Sequence, residues 1–184
     1  MPRRKFIVSM SFMGALFMAG GPAAAQPPGF TYGPVIPDEG PTAPVPGRIP
    51  LAPDTNLKVA MDVVERAAAS KKNRSFVTAA RFINMHAAAG LPPERARLAL
   101  VIHGAAVQDV TTSAFHTGAN ERDHGSHALI ASLLKAGVTI TVCGQSAAAQ
   151  GITKDDLLPG VTLSLSAITA HALLQQDGYT LNPF

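Results

Sequence analysis

The chain has 184 residues, 47% of them hydrophobic and 15% charged, with a formal net charge of +3. Arg3, Arg4 and Lys5 account for that whole excess, so residues 26–184 carry equal numbers of basic and acidic side chains. With no basic run and no Trp, the footprint of a nucleic-acid binder is missing, and no nucleic-acid partner is expected.

The first residues read as a processing signal. Arg3 to Lys5 form a charged start, Phe6 to Ala19 an apolar stretch, and Ala23 to Ala25 a small-residue cleavage site. The apolar run is short for a span and is broken by Ser9, Ser11 and Gly14, so no stable membrane insertion is expected. The pattern predicts a signal peptide over 1–25, a mature start at Gln26 and a periplasmic or secreted protein. Arg3-Arg4 also resembles a twin-arginine export signal.

Residues 26–55 form a Pro/Gly-rich arm or linker, with nine prolines between Pro27 and Pro53 and no helical or strand period. Such a segment favours extended conformations and is expected to stay out of the core as a spacer, or else to lie on a neighbouring subunit.

Residues 56–184 are long enough for one domain core and alternate strand and helix patterns. Leu57–Val64 is a strand with Val59, Met61 and Val63 on one face. Asn73 or Ser75 caps a helix carrying Phe76, Ala80, Ile83 and Ala87, which Gly90 and Pro92 stop. Leu98–Ile102 is a continuous apolar run, as a strand buried on both faces should be. Val110–Phe115 is a weak helix and 120–125 a polar loop. Ser126 caps a helix over His127–Ala136, and Gly137 ends it. Val138–Val142 is the next strand, followed by a short helix from Ser146. Val161–Leu165 is a strand, Ser166 or Thr169 opens a helix through Gln176, and Tyr179–Leu181 is a last edge strand. Short connections between alternating elements predict an α/β fold, three layers of α/β/α around a mainly parallel sheet of about five strands.

Ligands of such sheets bind at the carboxyl ends of the strands. His103-Gly104 follows one strand there, and Cys143-Gly144 follows the next. Cys143 is the single cysteine, so no intramolecular disulfide is possible. A thiol between a strand end and a helix start sits near unpaired N–H groups, which favour the reactive thiolate; a small buried hydrophobe is the other reading. Gly144, Gln145 and Ser146 supply the N–H groups, Gly104 allows close backbone approach, and His103 is a candidate proton partner if the two strands adjoin. Cys143-Gly-Gln-Ser146 looks like a two-cysteine redox motif with its second cysteine replaced. It lacks a resolving thiol but retains the capacity to form a persulfide or mixed disulfide. A metal reading rests on His116, His124 and His127, but no compact four-ligand set appears, and no metal or cofactor is assigned. His86 and His171 fall within helices and read as structural or surface residues. Asp155-Asp156 reads as a solvated turn.

Leu100-Val-Ile-His-Gly104, Val142-Cys-Gly-Gln-Ser-Ala147, Leu157-Leu-Pro-Gly-Val161 and Gln175-Gln-Asp-Gly-Tyr179 with Asn182-Pro-Phe184 together resemble the DsrE/DsrF-like sulfur-relay family, and most its exported members. The resemblance runs from about Leu57 to Phe184, and Gly33-Pro-Val-Ile36 is similar to the family's lead-in. It implies the same three-layer fold, a homo-oligomer (trimer or hexamer), and persulfide sulfur carried on the residue matching Cys143, with a sulfur donor or acceptor protein as partner. The Gly118–His127 segment, polar and His-rich, departs from the pattern. The expected function is therefore an exported sulfur carrier or sulfurtransferase. The alternative is a non-catalytic oligomeric module binding a small molecule or metal, with Cys143 merely buried.

Overall fold

The computed structural model describes residues 27–118 and 125–182, with backbone alone at 116–118. Five strands build one sheet: β1 (Leu57–Val63), β2 (Ala96–Ile102), β3 (Thr139–Cys143), β4 (Thr162–Ser164) and β5 (Thr180–Asn182). Their order is β4-β3-β2-β1-β5, and every pairing is parallel. The helices are α1 (Arg74–Ala88), α2 (Ser113–Gly118), α3 (His127–Lys135), α4 (Gly144–Ala149) and α5 (Ala167–Gln176). The expected α/β architecture is the one observed.

Topology assigns the helices to faces. The chain steps from β1 to β4 in one direction, then returns past β1 to place β5. Right-handed crossovers therefore put α1 and α3 on one face and α5 on the other. The α1 side holds the densest packing. Val59, Met61, Val63, Leu98, Leu100, Ile102, Ile140 and Val142 point there and meet Phe76 and Ile83 of α1 and Leu129, Ile130 and Leu133 of α3. The α5 side is lined by the alternate residues of the same strands. Ala60, Ala99 and Val101 are buried on it, while Asp62 and Thr141 are only partly buried. Among the described residues one short helix, α5, covers this face, and large apolar side chains remain open around it, among them Leu165 at 72% and Ile168 at 83% exposure.

Two local expectations are corrected. Ser126 precedes α3, yet its hydroxyl makes no cap bond there. It accepts the N–H of Asn73 instead, at 2.9 Å. Asn73 caps α1 by accepting the Ser75 N–H, and its amide donates to the buried Asp109. The hydroxyl thus ties the two helix starts together. The weak helix expected over 110–115 is split into a 3-10 segment, Gly104–Val110, and α2.

The arm is the larger correction. It was expected to stay out of the core, but Ile36 is 2% exposed and belongs to the core cluster. The buried Asn84 of α1 holds it. Its Oδ1 accepts the N–H groups of Val35 and Ile36, and its Nδ2 donates to the carbonyls of Ile36, Glu39 and Gly40. A Cβ on Gly40 would lie 2.2 Å from the Arg81 nitrogen of α1, so no other residue fits this approach. Thr31 and Thr42 pair backbone to backbone within the arm, while for the stretch from Val35 to Gly40 one asparagine side chain supplies the partners that a strand would otherwise provide.

Replacing Asn84 with Ala strands several buried backbone groups, and Ile36→Ala opens a cavity. Each is expected to cost stability, about 1–3 kcal/mol for the first and about 2–5 kcal/mol for the second. Urea unfolding of the two variants, and of a chain beginning at Asp54, checks this; unchanged midpoints would show that the arm rests on the domain without supporting it.

Candidate functional site

Cys143 is the last residue of β3 and the N-cap of α4. The helix starts at Gly144 and not at Ser146, which is its third residue. The Ser146 N–H points back to Cys143 Sγ at 3.5 Å. Gly144 makes the turn possible, because a Cβ there would meet the Ser164 carbonyl at 2.6 Å. The close approach at Gly144 is thus to the end of β4.

The thiol is 5% exposed. Burial opposes its ionisation. The Ser146 hydroxyl and the N–H groups of Ser146, Ala167 and Gln145 outweigh that, holding the thiol below its ordinary pKa. Ala167 is the first residue of α5, so donors from the starts of two helices converge on one sulfur. The Ser146 hydroxyl is itself set in place, since its oxygen accepts the Gly104 N–H at 3.2 Å. Gln150 then bridges Gly104 O at 2.9 Å and Ser146 O at 3.0 Å. Gly104 and Ser146 therefore belong to one hydrogen-bonded turn that joins the end of β2 to α4. Gln145 is exposed, and its amide reaches Leu165 O at 3.4 Å.

β2 and β3 adjoin, with Ile102 paired to Val142. Continuing that register by one residue sets His103 beside Cys143, both with extended backbone. The His103 imidazole, however, is turned toward β1. Its Nε2 lies 3.2 Å from Asp62 Oδ2, in ion-pair range but off hydrogen-bond alignment. The other carboxylate oxygen, Oδ1, is 2.5 Å from His171 Nε2 of α5. Burial raises the Asp62 pKa, but the His171 and His103 rings beside it hold the carboxyl below the usual range.

Sequence reasoning missed Asp62 and His171. A signal was available for Asp62: with Val59, Met61 and Val63 on one face, a carboxylate between them must face the other. Nothing local marked His171, whose partner is 109 residues away. His86 stays structural, with Nδ1 2.8 Å from Phe82 O and its ring tilted against Phe82. Asp156 closes a capping box with Thr153. His124 lies outside the described residues, as does the His116 side chain. Among the described residues, no group of three or more His, Cys, Asp or Glu is placed to hold a metal ion.

Two of the hollows among the described residues flank the domain. One of about 450 Å³ lies between the arm and the end of α1, against Thr42, Pro44, Met85 and Ala88. The other, about 310 Å³, lies between the β3–β4 pair and α5, lined by Thr141, Leu163, Ser164, Ala170, Leu173 and Leu174. The second runs along the strand that ends in Cys143.

A parallel α/β sheet with a capped cysteine at the end of a central strand defines the class. Residues 58–183 match the DsrE/DsrF-like family, and the chain belongs to it. Among solved structures the chain is similar to a protein of unknown function from Methanobacterium thermoautotrophicum. The two share 19% identity over 70% of this chain and 100% of that one, with a TM-score of 0.50, a likeness of fold. Comparison with curated proteins gives no match.

The depressed thiol pKa sets a pH dependence. Alkylation of Cys143 by a small reagent should rise to its plateau at a lower pH than for an ordinary cysteine, near 8.5. Ser146→Ala removes the hydroxyl donor and should move that curve to higher pH. The thiolate's stabilising contribution is full above the unfolded-state pKa and is lost as pH falls through the folded one. A curve for wild type at or above the ordinary value would refute the cap's effect.

Proposed function

We propose that this protein is an exported, homo-oligomeric member of its family that carries sulfane sulfur as a persulfide on Cys143. The observation that carries the reading is the capped sulfur: the Ser146 N–H lies 3.5 Å from Cys143 Sγ, and Ser146, Ala167 and Gln145 together hold the thiol below its ordinary pKa. Persulfide transfer needs a thiolate to accept the outer sulfur of a donor. It needs no second cysteine, and the chain has none. Donors around Sγ stabilise negative charge on the free thiolate and, by the same geometry, on the inner sulfur when it becomes a leaving group. The partner in this reading is a sulfur donor or acceptor protein or a small persulfide. Export rests on the leader pattern of residues 1–25; among the described residues, no helix is long and apolar enough to cross a membrane.

Oligomer formation is supported by the apolar side chains left open on the α5 side, Leu165, Ile168 and Leu173. A second reading draws on the 5% exposure of Cys143: the thiol is a packed residue near a subunit contact, and the protein binds without chemistry.

The two readings part on one measurement. Incubation with polysulfide should add sulfur mass to the wild-type protein and none to Cys143→Ser, as read by intact-mass spectrometry. Equal labelling of both, or of neither, favours the packed thiol. For the assembly, light scattering should give a mass several times 19.1 kDa minus the leader, and Ile168→Asp should lower it. A monomer at all concentrations would refute the oligomer.

A further inference from the structure

The Asp62, His103 and His171 cluster draws on three separate elements, and the donors that surround the thiol do not need it. Asp62 stands on the α5 face of β1, where its neighbours Ala60, Ala99 and Val101 are apolar. A half-covered carboxylate in such a place requires partners, and among the described residues His171 supplies a direct one at 2.5 Å. His103 is the looser second partner, at 3.2 Å. It is placed where β2 ends, between the strand that carries Asp62 and the strand that carries Cys143.

The register fixes the geometry. Asp62 pairs with Val101, and Val101 with Thr141. His103 and Cys143 follow two residues further on the same face, because side chains two apart in a strand share a face. Neighbouring strands stand about 4.8 Å apart. The imidazole thus has the carboxylate on one flank and the thiol's strand on the other. Its Nε2 is enclosed beside Asp62, which leaves Nδ1 as the ring nitrogen for a substrate. The ring is 28% exposed, open enough to be reached.

Resting on the persulfide reading of Cys143, we infer that His103 is the general acid of sulfur transfer and that Asp62 and His171 are positioning residues for its imidazole. In the loading step the Cys143 thiolate attacks the outer sulfur of a donor persulfide, R–S–SH. A bond forms between Sγ and that sulfur, and the donor's S–S bond breaks. Its electron pair leaves on the inner donor sulfur, which takes the proton from the His103 imidazolium. The products are R–SH, the Cys143 persulfide and neutral His103. One sulfane sulfur changes carrier, so no outside oxidant or reductant enters. In unloading the same ring accepts the proton of the incoming thiol. Asp62, negative and tied to His171, steadies the imidazolium while Cys143 carries no sulfur.

Proton donation matters only when the leaving thiolate is a poor one. Loading of purified full protein is therefore timed with two probes: cysteine persulfide, which releases an alkyl thiol, and an aromatic disulfide of the thionitrobenzoate type, which releases a stable thiolate. His103→Ala and Asp62→Asn should slow the alkyl reaction by roughly tenfold or more relative to the aromatic one. Free imidazole should restore part of the alkyl rate in His103→Ala, and His171→Gln should show the same selectivity in weaker form. Equal slowing with both probes would mean that the cluster only shapes the thiol, and no slowing with either would mean that it is idle; both overturn the inference. A wild-type protein that reacts with the aromatic probe but takes no sulfur from the persulfide overturns the persulfide reading itself, and this inference falls with it. The first failures appear in the variants and the last in the wild type, so the two are distinguishable.

Discussion

Everything at the candidate site follows from one constraint, the in-register parallel pairing of β1, β2 and β3. Parallel pairing brings three strand ends to the same edge, and the alternation of side chains sorts their residues between two faces. The odd-numbered residues of β1 and the even-numbered ones of β2 and β3 pack against α1 and α3. Their alternates face α5, and it is this sparser face that carries Asp62, His103 and Cys143. A one-residue slip of β3 against β2 would send Cys143 into the dense core and Val142 to the edge. The large apolar side chains on the α1 side therefore do more than stabilise the fold. They lock the register that aligns the functional groups on the opposite side.

The fold was legible in the sequence because its signals are local. Apolar runs of strand length, caps at Asn73 and Ser166, and glycines at the helix ends each act over a few residues. Cys143 was legible for the same reason, since a strand-to-helix junction shows in seven consecutive residues. The Asp62–His171 contact was not. It joins the first strand to the last helix, and only the return of the chain past β1 brings them together. Ser126 shows a milder form of the same limit. Its position before α3 has the look of a cap, but a buried N–H across the interface competes for the hydroxyl and takes it.

The arm shows how composition misleads. Nine prolines and no period describe a segment unable to build its own core. They do not prevent it from lending one side chain to a core that already exists. Ile36 does this, and the backbone groups exposed by the lack of a ladder are collected by Asn84. A buried asparagine in the middle of a helix is a poor helix former without local justification. Its presence in α1 is the signal that something outside the helix requires those donors and acceptors. Gly40, with positive φ and no room for a Cβ, is the matching signal within the arm.

Burial and ionisation of Cys143 pull in opposite directions, and their balance bears on how the thiol would be reached. An apolar enclosure by itself raises a thiol's pKa and makes it inert. Here the enclosure is made of helix starts, so the groups that exclude water are the same ones that stabilise charge. A site of this kind holds a nucleophile ready while shielding it from bulk solvent. Access then passes along the α5 side, where Leu165 and Ile168 stand open beside the residues that cap the sulfur. Under the proposed sulfur-carrying role, a partner approaching Cys143 covers apolar surface as it arrives. Further exclusion of water would strengthen every donor already aimed at the sulfur. On that account the exposed side chains of the α5 face and the buried thiol form a single device, in which docking and activation are the same event.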